Sequence, residues 1–188
     1  MGKKKDKTIK ISFVDEPAAE DVTGSLLYIS TPNHNILVDV GLRQTNDKYE
    51  DFLVSGIVVG DIIRKTAVRA SKTINSHDFS AIGIGELILE AVTETNKWVE
   101  TNTNLGIMML FIPITAAAAI SKDFISLRTN IVKIMADTTP NDAVNLYKAI
   151  NLAEAGGMGE QEDLDVSSDE SQKVLLEKEI TMFDVLEI

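Results

Sequence analysis

"NTNLGIMMLFIPITAAAA", Asn102–Ala119, is the most apolar stretch of this chain, and its reading decides the fold. Crossing a hydrocarbon core about 30 Å thick takes about 20 apolar residues. Leu105 to Ile120 would form a helix of only about 24 Å. Pro113 and Thr115 interrupt the run, and no Lys or Arg cluster flanks it to set a topology. The stretch therefore reads as the buried central helix of a soluble protein, apolar all round, and not as a membrane span. Ala116–Ala119 are small and let neighbouring helices come close.

On either side of this helix the hydrophobic period is helical back to about residue 45. Tyr49, Phe52, Leu53, Gly56, Val59, Gly60, Ile63, Ala67 and Ala70 fall on one stripe. Gly56 and Gly60 each weaken a helix by about 1 kcal/mol relative to Ala, which points to close approach of another helix or of a ligand. "INSHDFSAIG" is a break, and a second helix is expected from about Ile82 to Val99. A fourth begins near Ser121 with Phe124, Leu127, Ile131, Ile134 and Met135 on its apolar side. A fifth opens at "TTPNDAV", with Thr139 as N-cap, Pro140 in the first turn and Asp142 in the capping-box position. Ala155–Gly159 stops it. The tail adds an amphipathic segment, Val174 to Ile180, and ends in "FDVLEI".

Before residue 45 the period is two. Ile9, Ile11 and Phe13 alternate with polar neighbours, and "SLLYIS" and "NILVDVG" flank the turn-forming "TPNHN". The expected architecture is mainly α, a multi-helix bundle with a small N-terminal antiparallel β-hairpin or sheet. Its two parts are a β-rich segment, 1–45, and a helical domain, 46–188. Unpaired hairpin edges invite pairing with a second copy, hence a homo-oligomer.

A formal charge of −11 excludes general nucleic-acid binding, which needs a basic footprint. The acid is concentrated late: eleven Asp/Glu stand against two Lys from Glu154 onward, which reads first as a solvated surface. The absence of cysteine removes disulfides, thiolate nucleophiles and Cys-ligated zinc. His34 and His77 have no ligand spacing, so a metal would be held by carboxylates and substrate oxygens, which suits Mg²⁺. The start "MGKKKDKTIK" has no apolar core of a secretory signal, and a cytoplasmic location is expected.

Three constellations could carry chemistry. Glu86, Glu90 and Glu94 are spaced i, i+4, i+8 and make one carboxylate stripe on a helix. It is either a solvated face or a face for Mg²⁺ and a general base. Asn104 stands where an N-cap for the apolar helix belongs. Alternatively Asn102, Thr103 and Asn104 line a phosphate or ribose pocket at that helix's N-terminus. Asp142, Asn145 and Lys148 share a polar face, either plain surface or a place where Lys148 neutralises phosphate. "IGIGEL" lacks the third glycine and preceding strand of a dinucleotide fingerprint.

The blocks "DKYEDFLVSGIVVGDIIR", "IGELILEAVTETNKW", "NTNLGIMMLFIPITAAAA", "DAVNLYKAINLAEAGGMG" and "ITMFDV", in this order, resemble the archaeal-type branch of the triphosphoribosyl-dephospho-CoA synthase family over 46–188. The resemblance implies an all-helical fold. It also implies transfer of the 5-triphosphoribosyl group of ATP to the 2′-hydroxyl of 3′-dephospho-CoA, with release of adenine. By that likeness Glu86 and Glu90 take metal or base roles, and Asp51 is a second carboxylate candidate. Asn102, Thr103, Asn104 and Gly106 contact nucleotide or phosphate. Better-known relatives carry a His and a Lys where this chain has Asn104 and Leu105. The family's opening "PKPG"-type segment, part of its nucleotide site, has no counterpart here, and the family usually continues past the position of Ile188. Residues 1–45 resemble the opening strands of a metallo-β-lactamase-fold hydrolase without its "HxHxDH" metal motif. Two functions stand at this point: the transferase, intact or impaired, and a non-catalytic helical module that binds a nucleotide or a protein.

Overall fold

The computed structural model describes residues 10–15, 22–30, 35–44, 49–154, 165, 166 and 168–187. The chain divides into two compact units, Met1–Lys48 and Tyr49–Ile188. In the first, β1 (Lys10–Asp15), β2 (Val22–Ser30) and β3 (Asn35–Gln44) follow one another as antiparallel neighbours, with Phe13 opposite Leu27 and Leu27 opposite Val38. Most of the expected "TPNHN" turn lies outside the described residues.

The second unit is helical in every described element. Its helices are α1 (Tyr49–Val58), α2 (Gly60–Lys72), α3 (Ile84–Thr95), α4 (Leu105–Ile120), α5 (Phe124–Ala136), α6 (Pro140–Leu152), α7 (Asp169–Glu177) and α8 (Met182–Glu187), with a 3₁₀ turn at Phe79–Ile82. The stripe expected to run unbroken from Tyr49 to Ala70 is divided at Val59, where the backbone stays near helical values (φ −76°, ψ −5°). The expected fifth helix starts as read: Thr139 and Asp142 form a reciprocal capping box and Pro140 occupies the first turn. It ends at Leu152, with Glu154 in the left-handed region (φ 48°). The Gly-rich stop expected at 155–159 lies outside the described residues.

α3 is the most enclosed helix, packed on α6, α4, α1 and α2. Ile84, Leu87, Ile88, Ala91 and Val92 are all buried and form the middle of the aliphatic core with Ile112, Ala116, Ile134, Leu146 and Leu175. At the α3–α6 crossing the backbones nearly touch. A Cβ on Gly85 would lie 2.1 Å from the Asp142 carbonyl oxygen and 2.5 Å from its Cα. The Gly85 N–H donates to Asp142 Oδ1 at 2.8 Å, and the buried Asp142 also accepts from the Thr139 N–H and hydroxyl. Asp142 is therefore part of a helix crossing, and the polar face expected for Asp142, Asn145 and Lys148 is not one surface. A Cβ on Gly56 or Gly60 would meet nothing within 4 Å among the described residues, so packing among the described helices does not require glycine at either position.

α4 also departs from expectation. Leu105, Met108, Ile112, Pro113, Ala116 and Ala117 are buried, but Ile107, Leu110, Phe111 and Ile114 are exposed. Apolarity on every side implied burial on every side. Here α2, α5 and α3 pack on part of its circumference, and nothing among the described residues covers the rest. No described helix is long and apolar enough to cross a membrane.

Candidate functional site

The carboxylate stripe exists as read, along α3, but each member has a cation. Arg69 on α2 grips Glu86 with both terminal nitrogens, Nη1 to Oε2 and Nη2 to Oε1, each at 2.9 Å. One turn further along α3, Lys65 Nζ donates to Glu90 Oε2 at 2.6 Å. Lys97 reaches back to Glu94 from the next loop. Residue 65 meets 90 and residue 69 meets 86, so α2 and α3 run antiparallel and the two pairs are rungs of one ladder. The two rungs are separated by one i, i+4 step on each helix, about 6 Å along the axis. Arg69 Nη1 also donates to the Ile82 carbonyl at 3.1 Å, which holds the guanidinium by a second contact. Beneath this rung lies Gly83 (φ 69°), where a Cβ would stand 3.1 Å from Glu86 Oε2 and 3.2 Å from Arg69 Nη1.

The electrostatics follow this geometry. The Arg69 hydrogen bonds hold the Glu86 carboxyl below its ordinary value of 4.5, against a smaller opposing effect of burial, with the charges of Arg69 and Lys65 adding to the lowering. Arg69 is held above its ordinary value, first by the Glu86 hydrogen bond. Both rungs reach solvent: the side chain of Glu86 is 55% exposed and that of Lys65 39%.

Lys65 and Arg69 were not singled out from sequence. A signal was present: two cations at i, i+4 on one expected helix, then two carboxylates at i, i+4 on the next. What is missing from sequence is the antiparallel pairing, which joins residues 17 and 25 apart.

The second candidate group is the loop from α3 into α4. Asn102 Oδ1 accepts from the Leu105 N–H at 3.2 Å, so Asn102 caps the helix. Asn104, expected as the cap, makes no side-chain cap bond. Its buried amide instead donates inward to Thr95 Oγ1 at 2.7 Å, and the Thr95 hydroxyl donates to the Ala91 carbonyl. Ser55 of α1 donates its hydroxyl to the Asp51 carbonyl at 2.5 Å, which leaves Thr103 as the donor in the short hydroxyl contact between Thr103 and Ser55. Thr103 and Asn104 thus brace the loop from inside, while Asn102 and Gly106 stand on its exposed side. A Cβ on Gly106 would meet nothing within 4 Å among the described residues. The buried Thr101 Oγ1 has no hydrogen-bond partner among the described residues.

The structure therefore gathers the sequence candidates into two groups along α3. Glu86 and Glu90 lie on the ladder. Asn102, Thr103, Asn104 and Gly106 lie at the α4 end, with the Asp51 backbone tied in through Ser55. From Glu86 to Thr95 is nine residues, about 13 Å along the axis. Lys148 is exposed on α6, outside both groups. No set of three or more His, Cys, Asp or Glu side chains among the described residues could hold a metal ion.

A helical unit with facing cations and carboxylates has the chemistry to hold an anionic substrate. Residues 37–188 match the model of the ATP:dephospho-CoA triphosphoribosyl transferase family, and the chain belongs to that family. The match begins inside β3, upstream of the boundary expected near residue 46. No curated protein and no solved structure matches the chain.

Proposed function

We propose that this chain, a member of a triphosphoribosyl transferase family of the archaeal-type branch, is itself active, using ATP and 3′-dephospho-CoA and releasing adenine. The observation that carries the reading is the family match across the whole helical unit. In the reaction the 2′-hydroxyl oxygen of the acceptor bonds to the anomeric carbon of the ATP ribose. The bond from that carbon to the adenine nitrogen breaks, and adenine leaves with the electron pair and takes up a proton. The hydroxyl proton passes to a base.

The bond that breaks leaves positive charge on the sugar, so a fixed carboxylate beside the anomeric carbon lowers the barrier. Glu86 and Glu90 are assigned to the base and metal-binding roles and Asp51 to a supporting carboxylate. Mg²⁺ bound with ATP would neutralise triphosphate charge. Asn102 and Gly106, on the exposed side of the loop, are assigned to contact with nucleotide or phosphate. Thr103 and Asn104 support them by fixing the loop. Lys148 is kept as a phosphate contact. The activity is placed in the cytoplasm, consistent with a chain free of cysteine.

The test is incubation of the purified chain with ATP, Mg²⁺ and 3′-dephospho-CoA, with free adenine measured by chromatography. Adenine that forms only when both substrates are present supports the transferase. The exposed Ile107, Leu110, Phe111 and Ile114 favour a second reading, a non-catalytic module that binds a partner or nucleotide. Saturable ATP binding without adenine release would select it.

A further inference from the structure

We propose that Lys65 and Arg69 bind the polyphosphate chain of this protein's ligand, and that Glu90 and Glu86 are their displaceable counter-ions. The inference rests on the transferase reading for the identity of the ligand, a triphosphate, but the argument for the site is independent of it.

The charge distribution comes first. In a chain of net charge −11, α2 carries Arg64, Lys65, Arg69 and Lys72 against the single acid Asp61. A polyanion approaching an acidic protein is repelled except where cations are concentrated. α2 is such a place, and Lys65 and Arg69 are its members turned toward α3. Geometry comes second. The two cations are one turn apart, about 6 Å along the helix axis, within reach of one polyphosphate chain. Arg69 presents a planar fork that already holds one bidentate oxyanion, the Glu86 carboxylate, and a phosphate oxygen pair fits the same fork.

The third point is exchange. Both rungs reach water, and partly exposed pairs of this kind contribute little to stability, so a multivalent anion can displace a carboxylate at little loss. Arg69 keeps its bond to the Ile82 carbonyl when Glu86 leaves, so the guanidinium stays in position. The carboxylates set free are those assigned above to Mg²⁺. The ladder thus stores two cations and two anions in self-neutralised form, and a metal–triphosphate substrate supplies the complementary charge to each side.

The experiment is calorimetric titration of the full chain with inorganic tripolyphosphate, without and then with Mg²⁺, using wild type, Lys65→Gln, Arg69→Gln, Arg69→Lys and Glu86→Gln. Far-ultraviolet circular dichroism checks that each is folded. Arg69→Gln and Lys65→Gln are each expected to weaken binding about tenfold, the loss of one charge-assisted contact. Arg69→Lys, which keeps the charge and loses the fork, is expected in between. Glu86→Gln removes the competitor and is expected to tighten metal-free tripolyphosphate binding several-fold. A merely structural ladder predicts the opposite or nothing: Glu86→Gln and Arg69→Gln would shift binding in the same direction or leave it unchanged, and either outcome overturns the proposal. Adenine release measured on the same preparations separates the two claims. Release with tripolyphosphate binding indifferent to Arg69 overturns the ladder proposal alone. Ladder-dependent binding without release supports the site and counts against the transferase.

Discussion

Gly85→Ala tests how the carboxylate face is held in place. The new methyl carbon would sit 2.1 Å from the Asp142 carbonyl oxygen and 2.6 Å from its carbonyl carbon, both backbone atoms that cannot rotate away. α3 and α6 must separate, and overpacking of this kind destabilises by about 1–3 kcal/mol. Separation also stretches the Gly85 N–H bond to the buried Asp142 carboxylate, now 2.8 Å, a charge-assisted bond whose loss costs about 1.5–3 kcal/mol. Against this, alanine is the better helix former by up to about 1 kcal/mol. The net expectation is a loss of about 2–4 kcal/mol. For a domain of this size about 1 kcal/mol corresponds to about 2–4 °C, so thermal unfolding followed by circular dichroism should show a midpoint lower by about 5–15 °C. A midpoint unchanged or raised would refute the claim that the α3–α6 contact depends on glycine. α3 also carries Glu86 and Glu90, so the same variant should disturb the ladder's geometry.

Three further outcomes follow from the structure. The lowered Glu86 carboxyl contributes stability that is fully present above its ordinary value near 4.5 and is lost as pH falls through the lowered folded value. Arg69→Gln should therefore lower stability by less than about 1 kcal/mol at neutral pH, given the exposure of the pair. The difference from wild type should shrink in strong acid to what the Arg69 bond to the Ile82 carbonyl contributes, and urea denaturation at a series of pH values checks this. Asn104→Ala strips the buried Thr95 hydroxyl of its donor and frees the loop, and should destabilise by about 1–3 kcal/mol. Asn102→Ala removes an exposed cap and should lower stability by about 1 kcal/mol, read in the same denaturation assay.

What was legible in sequence was local. The Thr139–Asp142 capping box with Pro140 is a contact within four residues, and it appears where the motif placed it. The span of α4 followed from the apolar run between Asn104 and Ser121, and the Glu86–Glu90–Glu94 stripe from the helical period. What was missed depends on which helix lies beside which. Asp142 was assigned to a polar surface because its period matched Lys148, but α6 presses that position against Gly85. Gly56 and Gly60 attracted attention as helix-contact glycines, whereas the glycine that a contact requires is Gly85, in a motif set aside for lacking a nucleotide fingerprint. Asn104 was read as the cap of α4, and only the placement of Thr95 below the loop explains why its amide turns inward and Asn102 makes the cap bond instead. The exposed side of α4 was hidden because apolar composition reports what a face prefers and not what is there to cover it.

The most direct test of the central claim is the ratio of free adenine to mass-shifted CoA product in one incubation with ATP, Mg²⁺ and 3′-dephospho-CoA. The account predicts equal amounts, with the acceptor heavier by one triphosphoribosyl group. No adenine from a chain that unfolds cooperatively, or adenine without the coupled product, would contradict it.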